Sequence, residues 1–141
     1  MSNSYEGMVP SVPYLKIDSA GEPYIAGSQC GKCGQIFFGD RTICARCADR
    51  TSMQAMRLGE TGKLYAYTVI HRSFPGVKTP FVAATVELDG GGVLKGTLLE
   101  VEPDPTKLAF DMPVRTVYRD GGQKDPDGRP YLNYYFVPAG A

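Results

Sequence analysis

Tryptophan is absent from these 141 residues, histidine occurs once and cysteine only four times. The lone imidazole, His71, has no recognisable partner residue for acid–base or nucleophilic work. Neither sign of charge is in excess: 15 basic residues balance 15 acidic ones, and the isoelectric point lies near 6.6. That balance removes the electrostatic footprint expected of sequence-independent nucleic-acid binding. No stretch of about eighteen apolar residues occurs. The opening MSNSYEGMVP has neither a basic segment nor an apolar run of the secretory kind. Motifs of the G-x-S-x-G, phosphate-loop and H-E-x-x-H types are also missing. The expectation is a soluble, cytoplasmic chain with no nucleic-acid or membrane partner and no catalytic residues of its own.

The four cysteines that are present stand as two C-x-x-C pairs, Cys30-Gly31-Lys32-Cys33 and Cys44-Ala45-Arg46-Cys47, with ten residues between them. Each pair can bend into a knuckle that aims two thiolates at one point, and two facing knuckles close a tetrahedral cage around zinc. Ten intervening residues imply a short ribbon hairpin. Gly34 follows the first pair, where a residue without Cβ lets backbone N–H groups turn toward sulfur; Ala48 holds the equivalent place after the second. Iron in a rubredoxin-like site uses the same ligands. Two disulfides, or one redox pair, are the remaining readings. With zinc bound, every thiol of the chain is a ligand and none is left as a nucleophile.

Seventeen glycines and eleven prolines punctuate short segments, a pattern of strands and turns. By length the chain is one domain or two very small modules, and a ribbon of this size needs a structural metal because it buries too little by itself. Residues 1–27 read as a Pro-rich arm rather than core, with short strands at 14–18 and 23–26. Residues 28–57 read as the ribbon, with a strand at 35–38, a turn at Gly39-Asp40, and 51–57 as a bridge. Residues 58–141 hold five β-rich stretches, 63–72, 81–88, 93–100, 112–119 and 131–137. Five strands with little helix suit a small barrel of the OB type, with Gly96 as a bend. The expected fold is therefore mostly β, a rubredoxin-like zinc ribbon followed by a five-stranded OB barrel. The aromatics fall mostly inside the strands, where core packing is their role.

Several segments in fixed order carry a resemblance. They are the cysteine quartet, Gly62-Lys63-Leu64-Tyr65-Ala66-Tyr67-Thr68-Val69-Ile70-His71-Arg72, Pro80-Phe81-Val82-Ala83-Ala84-Thr85-Val86-Glu87-Leu88, Asp111-Met112-Pro113-Val114 and Phe136-Val137-Pro138. From Pro23 to Pro138 the chain resembles the zinc-ribbon and OB-fold proteins associated with acyl-CoA metabolism. Asp111 replaces a glycine of that pattern, and Gly39-Asp40-Arg41 replaces Pro-Pro-Arg. A Pro-rich arm stands where many relatives have helices. The resemblance implies a noncatalytic accessory subunit whose partner holds the reactive residues. The arm is similar to the subgroup that accompanies thiolases, including those acting on benzoylsuccinyl-CoA in anaerobic toluene breakdown. Thiolase-like aldolases and hotdog-fold enoyl-CoA hydratases are the alternative partners, and a single-stranded nucleic-acid module is the rival of another class.

Beyond the metal ligands, the loop 72–80 joins the first two barrel strands, a position from which OB folds bind ligands. Its Arg72, Phe74 and Lys78 are the candidates for contact with CoA or with a partner. His71 is assigned to structure or interface. Lys32, Arg41 and Arg46 offset the charge of the thiolate cage or meet phosphates. The turn-rich 121–130 reads as a flexible hairpin tip.

Overall fold

The computed structural model describes residues 5–139 and divides the chain into two compact units. Ten strands in chain order account for nearly all regular structure: β1 Val9–Pro10, β2 Leu15–Ile17, β3 Pro23–Cys30, β4 Ile36–Phe38, β5 Met53–Arg57, β6 Thr61–Ile70, β7 Phe81–Leu88, β8 Val93–Leu98, β9 Pro113–Lys124 and β10 Pro130–Pro138. A single 3-10 turn, Pro105–Lys107, is closed by Asp104, whose carboxylate accepts the Thr106 N–H at 2.9 Å. No helix of the described residues is long and apolar enough to cross a membrane.

Among the described residues the first unit takes 5–59, the tip 90–92 and the outer parts of β9 and β10. Its centre is β3, which pairs antiparallel with β2, β4 and β5. Close approach explains the residue choice at Gly27: a Cβ there would lie 2.8 Å from the Phe37 carbonyl oxygen and collide with the Leu58 side chain. Ser28, buried beside it, donates its hydroxyl to the Gly39 carbonyl at 2.7 Å and accepts the Arg41 N–H at 3.1 Å. The turn at residues 39–41 is thereby fixed to the strand. Tyr14 packs edge-on against Phe38 and hydrogen-bonds through its hydroxyl to that of Tyr134.

Three expectations are corrected in this unit. The segment read as an arm outside the core contributes Leu15 and Ile25, which are 1% and 2% exposed. Its prolines exclude helix but leave β2 free to pair with β3. The bridge 51–57 contains β5, whose register runs from Cys30↔Met53 to Ala26↔Arg57. The tip read at 121–130 is strand as far as Lys124, followed by a turn in which Asp125 accepts the Arg129 N–H at 2.8 Å and its Nε–H at 2.9 Å.

The second unit takes residues 60–89, 93–117 and 135–139 of those described. Strands follow one another as β10-β8-β7-β6-β9, and the pairing of β9 with β10 closes the ring into a five-stranded barrel of the OB kind. Alternation along β7 sends Val82, Ala84, Val86 and Leu88 inward. Leu64, Leu94, Val114 and Phe136 meet them at 0–1% exposure, each stabilising by about 1.5–3 kcal/mol through burial. A bulge between Leu64 and Ala66 shifts the β6–β7 register. Asp111 takes the positive φ of 65° that its place in the turn demands and donates its N–H to the Leu64 carbonyl at 2.8 Å. Aspartate tolerates that conformation better than most residues with a Cβ.

Candidate metal centre

The two C-x-x-C segments form the same local structure twice. In the first, the Cys30 N–H donates to the Gln35 carbonyl and the Gly34 N–H donates to the Cys30 carbonyl, both at 2.9 Å. In the second, the Cys44 N–H donates to the Asp49 carbonyl at 2.9 Å and the Ala48 N–H to the Cys44 carbonyl at 2.8 Å. The chain can close each loop because Gly34 and Ala48 both adopt positive φ, 82° and 65°. Backbone N–H groups then turn onto sulfur. Cys33 donates to Cys30 Sγ at 3.5 Å, while Arg46 and Cys47 both donate to Cys44 Sγ at 3.4 Å.

These knuckles bring the four thiols together. Cys30 Sγ lies 3.7 Å from Cys47 Sγ and Cys33 Sγ lies 3.6 Å from Cys44 Sγ. All four sulfur atoms fall within 4.8 Å of one another, the geometry of a metal site. Tetrahedral bonds of about 2.3 Å from a central ion place sulfurs about 3.8 Å apart. The cysteines are free thiols, far from the separation of about 2.05 Å that a disulfide requires. Cys30 and Cys44 are buried, Cys33 and Cys47 half-buried.

Electrostatics point the same way. The N–H of Cys33 leads the effects that lower the Cys30 thiol to about 6, against the opposing cost of burial. For Cys44 burial is the largest single influence, yet the N–H groups of Cys47 and Arg46 and the neighbouring sulfurs outweigh it and its value falls. For Cys47 the Asp49 N–H favours the thiolate, but burial and the three neighbouring sulfurs push it up to about 12. Four sulfurs this close cannot all ionise unless a cation joins them.

The remaining candidates are dispersed. Arg41 does not face the cage; its guanidinium lies over the rings of Phe37 and Phe38, 4.8 and 5.8 Å from their centroids. Lys32 and Arg46 are exposed on the knuckles, and the Lys32 charge helps to lower Asp49. In the second unit His71, Arg72, Phe74 and Lys78 are all exposed, with Phe74 at 83%. A concavity of about 450 Å³ lies across β6, β7 and β8, floored by Ala66, Thr68, Ala83, Thr85 and Thr97 beside Lys95, and none of those four exposed residues lines it.

Two residues at the centre went unread in the sequence. Asp49 and Ser52 sit directly behind the second knuckle, and Ser52 Oγ approaches Cys30 Sγ at 3.8 Å. Their signal was an Asp followed three residues later by Ser, the composition of a side-chain-closed turn.

Residues 56–119 match the family model described as the ChsH2 C-terminal OB-fold domain. A DUF35 domain-containing scaffold protein of Methanocaldococcus jannaschii is 30% identical over 117 residues, spanning 81% of either chain. The benzoylsuccinyl-CoA thiolase subunit BbsA of Thauera aromatica is 32% identical over 115 residues, 81% of this chain and 76% of that one. Among solved structures, the Ltp2-ChsH2(DUF35) aldolase superposes with a TM-score of 0.65 at 25% identity, covering 83% of this chain and 86% of its counterpart. With a sulfur cage in its first unit, a closed barrel in its second and these relatives along most of its length, the chain belongs to the DUF35 family.

Proposed function

We propose that this chain is a noncatalytic, zinc-holding scaffold subunit that docks on a thiolase-type acyl-CoA enzyme in the cytoplasm. The observation that carries the reading is the convergence of all four cysteines on one point. A thiolase needs a cysteine nucleophile, and a chain whose every thiol is a ligand must leave that role to another polypeptide. Zinc suits an S4 site of this size as a structural ion without redox chemistry. When bound, it supplies the positive charge that lets Cys30, Cys33, Cys44 and Cys47 stand ionised together.

The kinship with a benzoylsuccinyl-CoA thiolase subunit supports a thiolase as partner, and extends the proposal to the aromatic acyl-CoA esters of anaerobic toluene degradation. Functionally the chain divides into an N-terminal segment (1–27) and a ribbon (28–57), which share the strands around β3, and an OB domain (58–141). The exposed loop carrying Arg72, Phe74 and Lys78 is assigned to contact with the partner or with CoA at the interface. Phe74 supplies the apolar anchor and the two cations suit carboxylates or phosphates.

A second reading, a subunit of a thiolase-like aldolase, is favoured by the matched OB-domain model and by the aldolase structure. Purification from native extract through a tag on this chain tests both. The expected eluate holds a catalytic subunit and one zinc per chain. Thiolysis that consumes free CoA identifies the thiolase, and carbon–carbon cleavage without added CoA identifies the aldolase. Thioester turnover by the purified chain alone would refute the scaffold reading, and a red, iron-containing product would refute zinc.

A further inference from the structure

We propose that Asp49 and Ser52 form a latch that holds the two knuckles in register, making them positioning residues for the metal. The inference rests on the reading of the four cysteines as a metal site. Asp49 Oδ2 is the hub: it accepts the N–H of Ser52 at 2.9 Å, the N–H of Thr51 at 3.3 Å and the hydroxyl of Ser52. These bonds fold residues 49–52 into a tight turn. On one side the turn is tied to the second knuckle, because the Asp49 carbonyl receives the Cys44 N–H at 2.9 Å. On the other it is tied to the first, because the Ser52 carbonyl receives the Gly31 N–H at 2.9 Å.

The join is close as well as hydrogen-bonded. A Cβ placed on Gly31 would stand 3.0 Å from the Ser52 carbonyl oxygen and 3.1 Å from its Cβ. Ser52 Oγ, oriented by the Asp49 carboxylate, reaches Cys30 Sγ at 3.8 Å. Any movement of this turn therefore moves Cys30 relative to Cys44, and with them the sulfur separations that fit a single ion.

A carboxylate beside a doubly negative thiolate cage is unfavourable by charge alone. Its position here follows from acceptor capacity, since one oxygen serves three donors. A neutral acceptor of the same shape must then serve nearly as well. That separates the latch from a simple electrostatic contribution.

The test uses the full chain loaded with cobalt(II), whose thiolate charge-transfer and ligand-field bands report the cage directly, and then with zinc challenged by a chromophoric chelator. Asp49→Ala and Ser52→Ala are each expected to weaken metal retention by about 10- to 100-fold, the range of outer-shell losses, and to change the cobalt ligand-field bands. The double variant should be no worse than the stronger single one, since the two act as a unit. Asp49→Asn and Ser52→Thr, which keep the acceptor and the hydroxyl, should restore most of the retention and the native spectrum. Wild-type bands with retention unchanged in both alanine variants would overturn the latch alone. A wild-type chain that never develops thiolate-to-cobalt bands would overturn the metal reading and the latch with it.

Discussion

Gly34 and Ala48 occupy the same place in two copies of one knuckle, so exchanging their side chains should move metal affinity in opposite directions. Gly34 has a φ of 82° and nothing within 4 Å of where its Cβ would stand, so Gly34→Ala meets no clash and isolates the backbone effect. An L-residue in the left-handed region costs about 1–2 kcal/mol. The smaller entropy of the unfolded alanine chain offsets about 0.4–1 kcal/mol of that. The net loss centres on about 0.8 kcal/mol, roughly a fourfold weakening. Ala48 already bears this cost at a φ of 65°, and Ala48→Gly should gain about as much. Knuckle closure and metal binding are one equilibrium in such ribbons, so zinc affinity measured by chelator competition reads both changes. Gly34→Ala should bind more weakly, Ala48→Gly more tightly, and the double exchange should return close to wild type. Shifts of the same sign, or none in either variant, would refute the claim that positive φ limits knuckle closure.

Other positions give independent checks. Thr116 Oγ1 is buried without a hydrogen-bond partner among the described residues, so Thr116→Val, nearly isosteric, should stabilise by about 1 kcal/mol or more in urea denaturation. Asp125 is held below the usual carboxylate range by the Arg129 N–H first and by the Arg129 side chain after burial is set against it. Because its folded value is depressed, its stabilisation is present above about pH 4 and is lost as pH falls through the folded value. Acid titration followed by hydrogen exchange of the turn should show that loss, and Asp125→Asn should abolish its pH dependence. Phe74, 83% exposed, should tolerate Phe74→Ser within about 0.5 kcal/mol in thermal unfolding while weakening capture of the catalytic partner.

Elements with a strong two-residue period were legible from the chain. The stretch 81–88 is β7 residue for residue, and the cysteine spacing located the cage. Elements whose pairing depends on distant chain were not. Residues 51–57 carry no alternation that marks a half-buried strand; β5 forms because β3 offers it an edge from Cys30 to Ala26. Tyr14 to Ile17 looks like exposed arm until Leu15 is opposed by Ile25. Asp120 to Lys124 reads as turn from its glycines, yet β9 continues through it. Arg41 shows the same limit for side chains: its charge is visible in the sequence, but its seat over Phe37 and Phe38 comes from the Ser28–Gly39 contact that fixes the turn. The Asp49–Ser52 latch was hidden because its meaning lies in Gly31, eighteen residues upstream of Asp49.

The proposed commitment of sulfur to structure in the first unit follows from the scale of the energies. Its fully buried apolar side chains are few, with Leu15, Ile25 and Leu132 the largest at 0–1 or 2% exposure, and short strands joined by glycine-rich turns carry a high conformational entropy in the unfolded chain. A structural zinc in a ribbon contributes about 10–16 kcal/mol, as much as the entire net stability of an ordinary domain, about 5–15 kcal/mol. Removing one thiolate for chemistry would forfeit a large part of that, and a reactive thiol needs an open, accessible sulfur where these are drawn inward by backbone N–H groups. Rigidity and nucleophilicity thus compete for the same four atoms. In this chain the backbone N–H groups turned onto sulfur favour rigidity, and under the proposed scaffold role the nucleophile of a thioester chemistry comes from the catalytic partner.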